Sequence, residues 1–112
     1  MRHENIYIGV GQVFRKQWRF SNYFYAFAAT PPFGLLSVSQ EFCFYTMQYP
    51  RSPSVPCHWS QRAHSIEQVG DNVILAYAAN DCHSKVTVLP LKQVLSMLGL
   101  CPHNSDLGAR DW

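Results

Sequence analysis

Charged residues are scarce in this sequence, and their scarcity bears on its partners. Only 14% of the 112 residues are charged, whereas about a quarter is usual in a free-standing soluble domain. The formal net charge is +2, and Arg and Lys are scattered, so we expect neither nucleic acid nor a membrane as a partner. Because 47% of the residues are hydrophobic, part of the surface is expected to meet another molecule.

Long hydrophobic runs are also missing. No apolar run approaches the roughly 18 residues that a membrane span needs, and the opening residues Met1 to Glu4 offer no signal-peptide core. We therefore expect a soluble protein that is not exported, with the cytoplasm as its default location. A chain of 112 residues is long enough for one domain with one moderate core.

The four cysteines form no metal-binding motif. Cys43, Cys57, Cys82 and Cys101 include no Cys-x-x-Cys pair and have no matching His-x-x-x-His. The spacing therefore predicts no zinc site, and we expect no other cofactor. An even count permits two disulfides, but nothing else is typical of a secreted protein. Free, mostly buried thiols are the expectation, because free cysteine behaves as a small core residue.

What the sequence does contain is a succession of strand-like segments. Apolar alternation and aromatic or β-branched runs mark residues 6–11, 22–29, 35–39, 62–69, 72–79 and 85–89. In the second segment, Tyr23, Tyr25 and Phe27 lie on one side, and two consecutive prolines end the strand. Residues 49–56 contain three prolines, which predicts an exposed loop between two sheet units.

The segment at 72–79 predicts a strand with unlike faces. Its bulky residues Val73, Leu75 and Tyr77 alternate with smaller side chains, including two alanines. This pattern is typical of a strand buried on both sides, with a second sheet close to the small-residue face. A Gly-Asp pair before it predicts a tight hairpin turn, and the segment after it alternates like a sheet edge or a half-exposed strand.

A short helix is predicted after the last strand. Leu91, Val94, Leu95 and Leu98 share one helical face, and Gly99 is placed to end the helix. The sequence therefore predicts a mainly β fold, with antiparallel meander units that resemble about two blades of a β-propeller and one short C-terminal helix.

The domain organisation follows from these elements. Residues 1–100 are expected to form the β-meander domain, and residues 101–112, which lack periodicity, a flexible tail. A propeller blade has four strands and about 40–50 residues, so two blades cannot close a ring. We expect exposed flanks that associate with copies of this chain or with missing upstream blades.

Three runs of the sequence resemble a known family. They are Pro32-Phe-Gly-Leu-Leu-Ser-Val-Ser-Gln-Glu-Phe42, Val73-Ile-Leu-Ala-Tyr-Ala-Ala-Asn-Asp-Cys-His-Ser-Lys85 and Leu89-Pro-Leu-Lys-Gln-Val-Leu-Ser-Met-Leu98. Together they resemble the C-terminal end of the five-bladed β-propellers of glycoside hydrolases and mannoside phosphorylases, and of related domains that accompany glycosyltransferases. The resemblance covers residues 3–98 and implies a carbohydrate-processing or carbohydrate-binding propeller segment with a sugar ligand.

The resemblance also implies a sugar site. In the family, the last blade tends to carry Ser-Tyr-Gly-x-x-Asp, whose aspartate faces the central pocket; the matching residues are Ala76, Tyr77, Ala78 and Asp81. Carboxylates accept bidentate hydrogen bonds from sugar hydroxyls, and aromatic faces stack on sugar C–H surfaces. The candidate sugar-binding residues are Tyr77, Asn80, Asp81 and His83.

These candidates have alternative interpretations. Asp81 is able to cap the corner as an Asx-turn, and a turn histidine such as His83 is more commonly an ordinary surface residue. The aromatic residues of 22–29 and 42–45 suggest a sugar-stacking platform, but aromatic-rich strands are usually core, and we expect core. Cys82 beside His83 suggests a thiol nucleophile, yet strand neighbours point to opposite faces.

Catalysis by this chain alone is not expected. Glycoside cleavage needs two suitably separated carboxylates, or one carboxylate and phosphate. Relatives often carry an acidic residue where this chain has Cys57-His-Trp-Ser-Gln-Arg-Ala63, and the family's general acid lies in blades that this chain lacks. The sequence therefore identifies no catalytic residue. The alternative function is a small β-sheet interaction or structural module without sugar binding.

Overall fold

The computed structural model of the chain describes residues 1–15, 19–44, 61–79 and 82–100. These residues form two antiparallel sheets and one helix. Sheet A has the order β1-β2-β3-β4, with strands at Arg2–His3, Ile6–Arg15, Arg19–Ala28 and Leu35–Val38. Sheet B has the order β5-β6-β7, with strands at Gln61–Val69, Asn72–Ala79 and His83–Pro90, and helix α1 follows at Leu91–Met97. The predicted mainly β fold of two blade-like antiparallel units and one short helix is confirmed.

Sheet A is built on a long hairpin. Strands β2 and β3 pair from Ile6 opposite Ala28 to Arg15 opposite Arg19. Both strands are rich in aromatic and β-branched residues, which fit a pleated, half-buried surface. Alternation places even-numbered residues such as Phe24 on the core face and odd-numbered residues on the opposite face.

Prolines separate β3 from β4 as predicted. Strand β3 ends at Ala28, the Pro31–Pro32 peptide bond is cis, and β4 begins at Leu35. Beyond β4, the amide of Phe42 donates to the carbonyl of Asn22 at 2.8 Å, and the amide of Asn22 donates back at 3.2 Å. Phe42 therefore extends sheet A alongside β3.

The hairpin between β5 and β6 has the two-residue turn that the Gly-Asp pair predicted. Val69 pairs with Asn72, so Gly70 and Asp71 form the loop. Gly70 has φ of 60°, a left-handed conformation that glycine adopts without steric cost and that a type II′ turn requires at its first central position. Strand β7 pairs with β6 and is an edge of sheet B, as its alternation predicted.

The two faces of β6 differ as predicted, but the residues that the structure describes form a core on only one of them. Val73, Leu75 and Tyr77 are buried in the core. Ala76 and Ala78 are only half-buried, and no second sheet formed by the described residues lies on them. The expectation of a strand buried on both faces is wrong, because sheet A and α1 both pack on the bulky side.

Helix α1 closes the core. Its predicted apolar face between Leu91 and Leu98 is buried and belongs to one cluster with both sheets. The hydroxyl of Ser37 in β4 donates to the Leu98 carbonyl. Gly99 follows with φ of 71°, which allows the left-handed turn that ends many helices.

Polar contacts also join the two sheets. The buried Asn22 donates from Nδ2 to the Gln61 carbonyl at 3.0 Å, and its Oδ1 accepts from the Ala63 amide at 2.9 Å. Gln12 Nε2 donates to the Ala63 carbonyl, and the Phe44 amide donates to Gln61 Oε1 at 2.5 Å. Gln61 Nε2 is buried without a hydrogen-bond partner in the described part of the chain. These contacts hold β5 against the β2–β3 hairpin.

The cysteines differ from expectation. Cys43 is buried and disulfide-bonded, so the free thiol expected at this position is wrong, because spacing along a sequence does not reveal which thiols meet in the fold. Cys82 is a free, exposed thiol. Outside the described residues lie Cys57, Cys101, the predicted loop at 49–56 and the predicted tail at 101–112.

The described ranges contain neither a membrane-spanning helix nor a cluster of metal ligands. None of the helical residues between 1 and 100 that the structure describes forms a span long and apolar enough to cross a membrane. The described side chains also include no group of three His, Cys, Asp or Glu residues placed to hold a metal ion.

Candidate functional site

The predicted sugar contacts between β6 and β7 lie only partly within the described residues. Asn80 and Asp81 fall outside them. Ala79 pairs with His83, and Tyr77 lies two residues before Ala79, so Tyr77 and His83 share one face of sheet B. His83 is exposed, whereas Tyr77 is buried.

Tyr77 belongs to the core. Its ring stacks on Phe44, with centroids 4.3 Å apart and an interplanar angle of 13°, and only 9% of the residue is exposed. Burial raises the pKa of the Tyr77 hydroxyl above its ordinary value of 10.0, because a poorly solvated phenolate is disfavoured. Phe44 covers one face of the Tyr77 ring.

The aromatic residues of sheet A divide between its two faces. Phe24 and Phe42 are buried and stack with centroids 4.6 Å apart, which confirms the core expectation for these two residues. Tyr23, Tyr25 and Phe27 lie together on the opposite face and are only half-buried. The core expectation is therefore wrong for these three, because the odd positions of β3 face away from sheet B and α1.

The half-buried rings form a surface that we call the aromatic row, which consists of Tyr7, Tyr23, Tyr25 and Phe27. Ring centroids are 6.2 Å apart for Tyr23 and Tyr25, 6.2 Å for Tyr25 and Phe27, and 5.4 Å for Phe27 and Tyr7. The Tyr25 and Phe27 rings lie within 14° of parallel, whereas Tyr23 is tilted by 49° from Tyr25. Since side chains two residues apart share a face of a strand, the row follows β3.

Two glycines lie beneath the row. Gly9 pairs with Tyr25, and Gly11 pairs with Tyr23. A Cβ atom added at Gly9 would lie 2.3 Å from Tyr25 Cζ, and one added at Gly11 would lie 2.4 Å from Tyr23 Cζ. The far ends of both tyrosine rings therefore lie over β2 on backbone that the glycines leave bare.

Polar side chains flank the row at both ends. Arg2 pairs with Tyr7, and its guanidinium carbon lies 5.8 Å from the Tyr7 ring centroid. At the other end, the Ser21 hydroxyl donates to the Glu41 carboxylate. Ser21 shares a face with Tyr23, because the two are two residues apart in β3. Among the described side chains, a cation thus lies at one end of the row and a carboxylate at the other.

The β4 side of the row is apolar. Val38 pairs with Tyr25, and Leu35 pairs with Phe27. Val38 is 52% exposed and Leu35 is 67% exposed. Exposed apolar patches on protein surfaces often mark interaction sites.

The surface combines apolar ring faces with polar groups near its ends. Aromatic faces pack on apolar C–H surfaces, while carboxylate, guanidinium and hydroxyl groups exchange hydrogen bonds with sugar hydroxyls. Hydrolysis requires two carboxylates on either side of one glycosidic bond. The described side chains at the row and its ends supply a single carboxylate, that of Glu41.

Most of this surface was missed by sequence reasoning. Arg2, Ser21 and Glu41 lie far apart along the chain, and only the pairing of strands brings them to one face. A usable signal was present in β2, where Gly9 and Gly11 interrupt a β-branched strand at alternate positions. Glycine in a strand interior often marks the close approach of another group.

Comparisons of the chain with protein-family models, with curated proteins and with solved structures found no match. The propeller resemblance therefore stays a prediction from sequence, and the function is argued from the geometry of the site.

Proposed function

We propose that this chain is a carbohydrate-binding β-sheet module that is not catalytic by itself. The observation that carries the proposal is the aromatic row, in which partly exposed rings follow β3 at centroid spacings of 6.2 Å. Sugars present C–H faces to aromatic rings and hydroxyls to polar side chains, and the row has both kinds of group.

The row lies outside the hydrophobic core of the fold. The hydrophobic core lies on the opposite face of sheet A, where Phe24 and Ala26 are fully buried. Four half-buried rings on the other face leave apolar area in water, which costs free energy unless a ligand covers it. Gly9 and Gly11, which lie under two of the rings, have no side chain and therefore add no side-chain packing to β2.

A second set of sugar contacts comes from the family resemblance. It assigns Asp81, with Asn80, Tyr77 and His83, to a sugar pocket at the turn after β6. Asn80 and Asp81 are outside the described residues, so this turn adds a prediction to the proposal but does not carry it. Asp81→Ala tests it separately from the row.

The proposal is tested by isothermal titration calorimetry with glycans first selected on a glycan array. The variants are Tyr25→Ala in the row and Phe14→Ala as a matched control, because Phe14 is a 55% exposed aromatic residue on an even position of the same hairpin. We expect Tyr25→Ala to weaken binding up to about tenfold and Phe14→Ala to leave it unchanged. Equal affinity of both variants and the parent chain would contradict the proposal.

A second candidate is an interaction module without sugar binding. It is favoured by exposed aliphatic residues on both sheets: Leu35, Leu36, Val38, Val86 and Val88. Exposed aliphatic surfaces are also suited to binding a second copy of this chain or the upstream blades that the resemblance implies. Light scattering after size-exclusion chromatography distinguishes the candidates. A dimer that Tyr25→Ala dissociates, together with an array that shows no glycan binding, would favour the interaction module.

A further inference from the structure

The face of sheet B that points away from the core, which we call the outer face, is apolar along β6 and β7. Alternation places the even-numbered residues of these two strands there. Ile74, Ala76 and Ala78 are half-buried, and Val86 and Val88 are 65% and 55% exposed. We infer that the outer face packs on the same face of a second copy of this chain, in a weak two-fold symmetric dimer. The aromatic row lies on sheet A, so this inference goes beyond the proposed function.

The outer face has two unlike halves. Three rows of paired residues cross it: a first row of Arg62, Ala78 and Ser84, a middle row of Ser65, Ala76 and Val86, and a last row of Glu67, Ile74 and Val88. The first row is basic at β5 and small at β6 and β7. The last row is acidic at β5 and bulky at β6 and β7. The two halves therefore differ in both charge and size.

A two-fold axis that crosses the strands above the middle row matches these halves. It turns the second copy end for end, so that the first row of each copy faces the last row of the other. Ile74 of one copy then lies opposite the small Ala78 of the other. On the axis, Ala76 faces Ala76, where short side chains let the sheets approach. Sheets packed face to face keep their strands within about 30° of one line, which this arrangement satisfies.

The charges of the outer face are complementary under the same symmetry. Arg62 and Glu67 are both exposed and occupy β5 on either side of Ser65, the residue of the middle row. The axis places Arg62 of each copy opposite Glu67 of the other and so forms two ion pairs. Asp71, in the turn between β5 and β6, lies at the same end of the sheet as Glu67. Each basic end therefore meets an acidic end.

The position of Arg62 is compatible with this pairing. Its guanidinium carbon lies 4.8 Å from the Phe20 ring centroid. A guanidinium that stacks on a ring directs its N–H groups outward in its own plane, where a carboxylate accepts them. Arg15 and Arg19, paired at the end of the same hairpin, occupy odd positions and so lie on the face of sheet A opposite to Phe20.

The other titratable residues in the strands of sheet B do not oppose the arrangement. His83 and Lys85 pair with Ala79 and Tyr77, whose side chains are buried in the core, so alternation directs both away from the outer face. His64 is exposed at the bulge of β5, close to the axis. Since histidine is mostly neutral at pH 8, measurements at that pH leave Arg62 and Glu67 as the charges that decide.

The size of the face predicts a weak dimer. The outer face spans three strands, which lie about 4.8 Å apart, and covers only a few hundred Å² per copy. Stable interfaces bury about 800 Å² per partner. We therefore expect dimers at protein concentrations on the order of 100 µM and monomers at roughly 1 µM.

Sedimentation velocity of the full chain at pH 8, over this range of concentrations, tests the dimer. Val86→Glu places two carboxylates beside the axis and is expected to weaken dimerisation at least about tenfold. Because Val86 is 65% exposed, the thermal midpoint at low concentration should stay close to that of the parent chain. Lys85→Glu is the matched control, since Lys85 is an exposed residue of the same strand on its other face, and it should leave dimerisation unchanged.

Charge reversal tests the orientation of the second copy. Glu67→Arg places like charges opposite each other at both ends and is expected to weaken dimerisation roughly tenfold. Combining it with Arg62→Glu restores opposite charges across the interface, so the double variant should regain most of the parent affinity. A purely structural role of either residue within one chain would not produce this recovery.

Each result decides. A chain that stays monomeric throughout the range, or a dimer that Val86→Glu leaves intact, overturns the inference. A dimer that Val86→Glu weakens but that the double charge reversal does not restore overturns the two-fold arrangement. Tyr25→Ala is expected to leave the dimer intact, so its effect on glycan binding reports on the proposed function separately.

Discussion

The backbone amide of Ala63 donates to the side-chain oxygen of Asn22 at 2.9 Å, across the boundary between the two sheets. The same Asn22 side chain donates to the Gln61 carbonyl at 3.0 Å. Its amide thus satisfies a donor and an acceptor of β5 as a neighbouring strand would. Asn22 is 0% exposed, so water cannot take over either bond.

Replacement of Asn22 by alanine is expected to destabilise the fold strongly. The change removes two buried hydrogen bonds and leaves the Ala63 amide and the Gln61 carbonyl unpaired, at a cost of about 2–4 kcal/mol. Gln12→Ala serves as the control, because Gln12 is exposed and also contacts the Ala63 backbone. Urea unfolding measures both; equal losses in the two variants would contradict the role given to Asn22.

Substitutions of neighbouring aromatic residues in β3 are expected to destabilise the fold to different extents. Phe24 is fully buried against Phe42, so Phe24→Ala should reduce the free energy of unfolding by about 3–5 kcal/mol. Tyr25 is half-buried on the other face, and Tyr25→Ala should cost roughly 1 kcal/mol. Chemical denaturation of the two variants checks the assignment of faces, and a larger loss for Tyr25→Ala would refute it.

Stability at high pH is expected to depend on Tyr77. Burial raises the pKa of its hydroxyl in the folded chain above 10.0, so the folded state holds the proton more tightly than the unfolded state. This contribution is complete below pH 10.0 and is lost as the pH rises through the folded-state pKa. Tyr77→Phe cannot ionise, so its urea midpoint should fall less steeply above that pH. Parallel curves for the two proteins would show that Tyr77 does not titrate as a buried group.

The turn between β5 and β6 is expected to require glycine. Gly70 has φ of 60°, a conformation that costs an L-residue roughly 1–2 kcal/mol. Gly70→Ala should destabilise by that amount although a Cβ there would contact nothing within 4 Å. Gly34→Ala, at a position equally open, should have no such effect. Thermal unfolding of the pair separates backbone strain from steric contact.

Much of the fold was predictable from the sequence, because local patterns determine it. The alternation of Val73, Leu75 and Tyr77 predicted the buried face of β6, and the placement of Tyr23, Tyr25 and Phe27 on one side of β3 was also right. The Gly-Asp turn and the break at the two prolines follow from the backbone preferences of glycine and proline. The apolar face of α1 follows from the spacing of its apolar residues.

Contacts between distant segments were not predictable. Asn22 and Gln61 read as ordinary polar strand residues, although they join the sheets from positions 39 residues apart. Whether a strand face is core or surface depends on what packs against it, and the sequence of the strand does not show this. The sequence therefore predicts a core position for Tyr25 and a covered face for Ala76, whereas both are only half-buried in the fold. Arg2, Ser21 and Glu41 were not predicted either, because only strand pairing and a side-chain contact bring them to the row.

The most direct test of the central claim is a titration of isotope-labelled protein with a glycan selected on a glycan array, followed by the amide chemical shifts. Binding on the aromatic row should shift the amide signals of Gly9, Gly11 and Tyr25, and Gly34 should stay in place. Shifts confined to the turn around His83, or no shifts with ligand in large excess, would contradict the assignment of the row as the carbohydrate-binding surface.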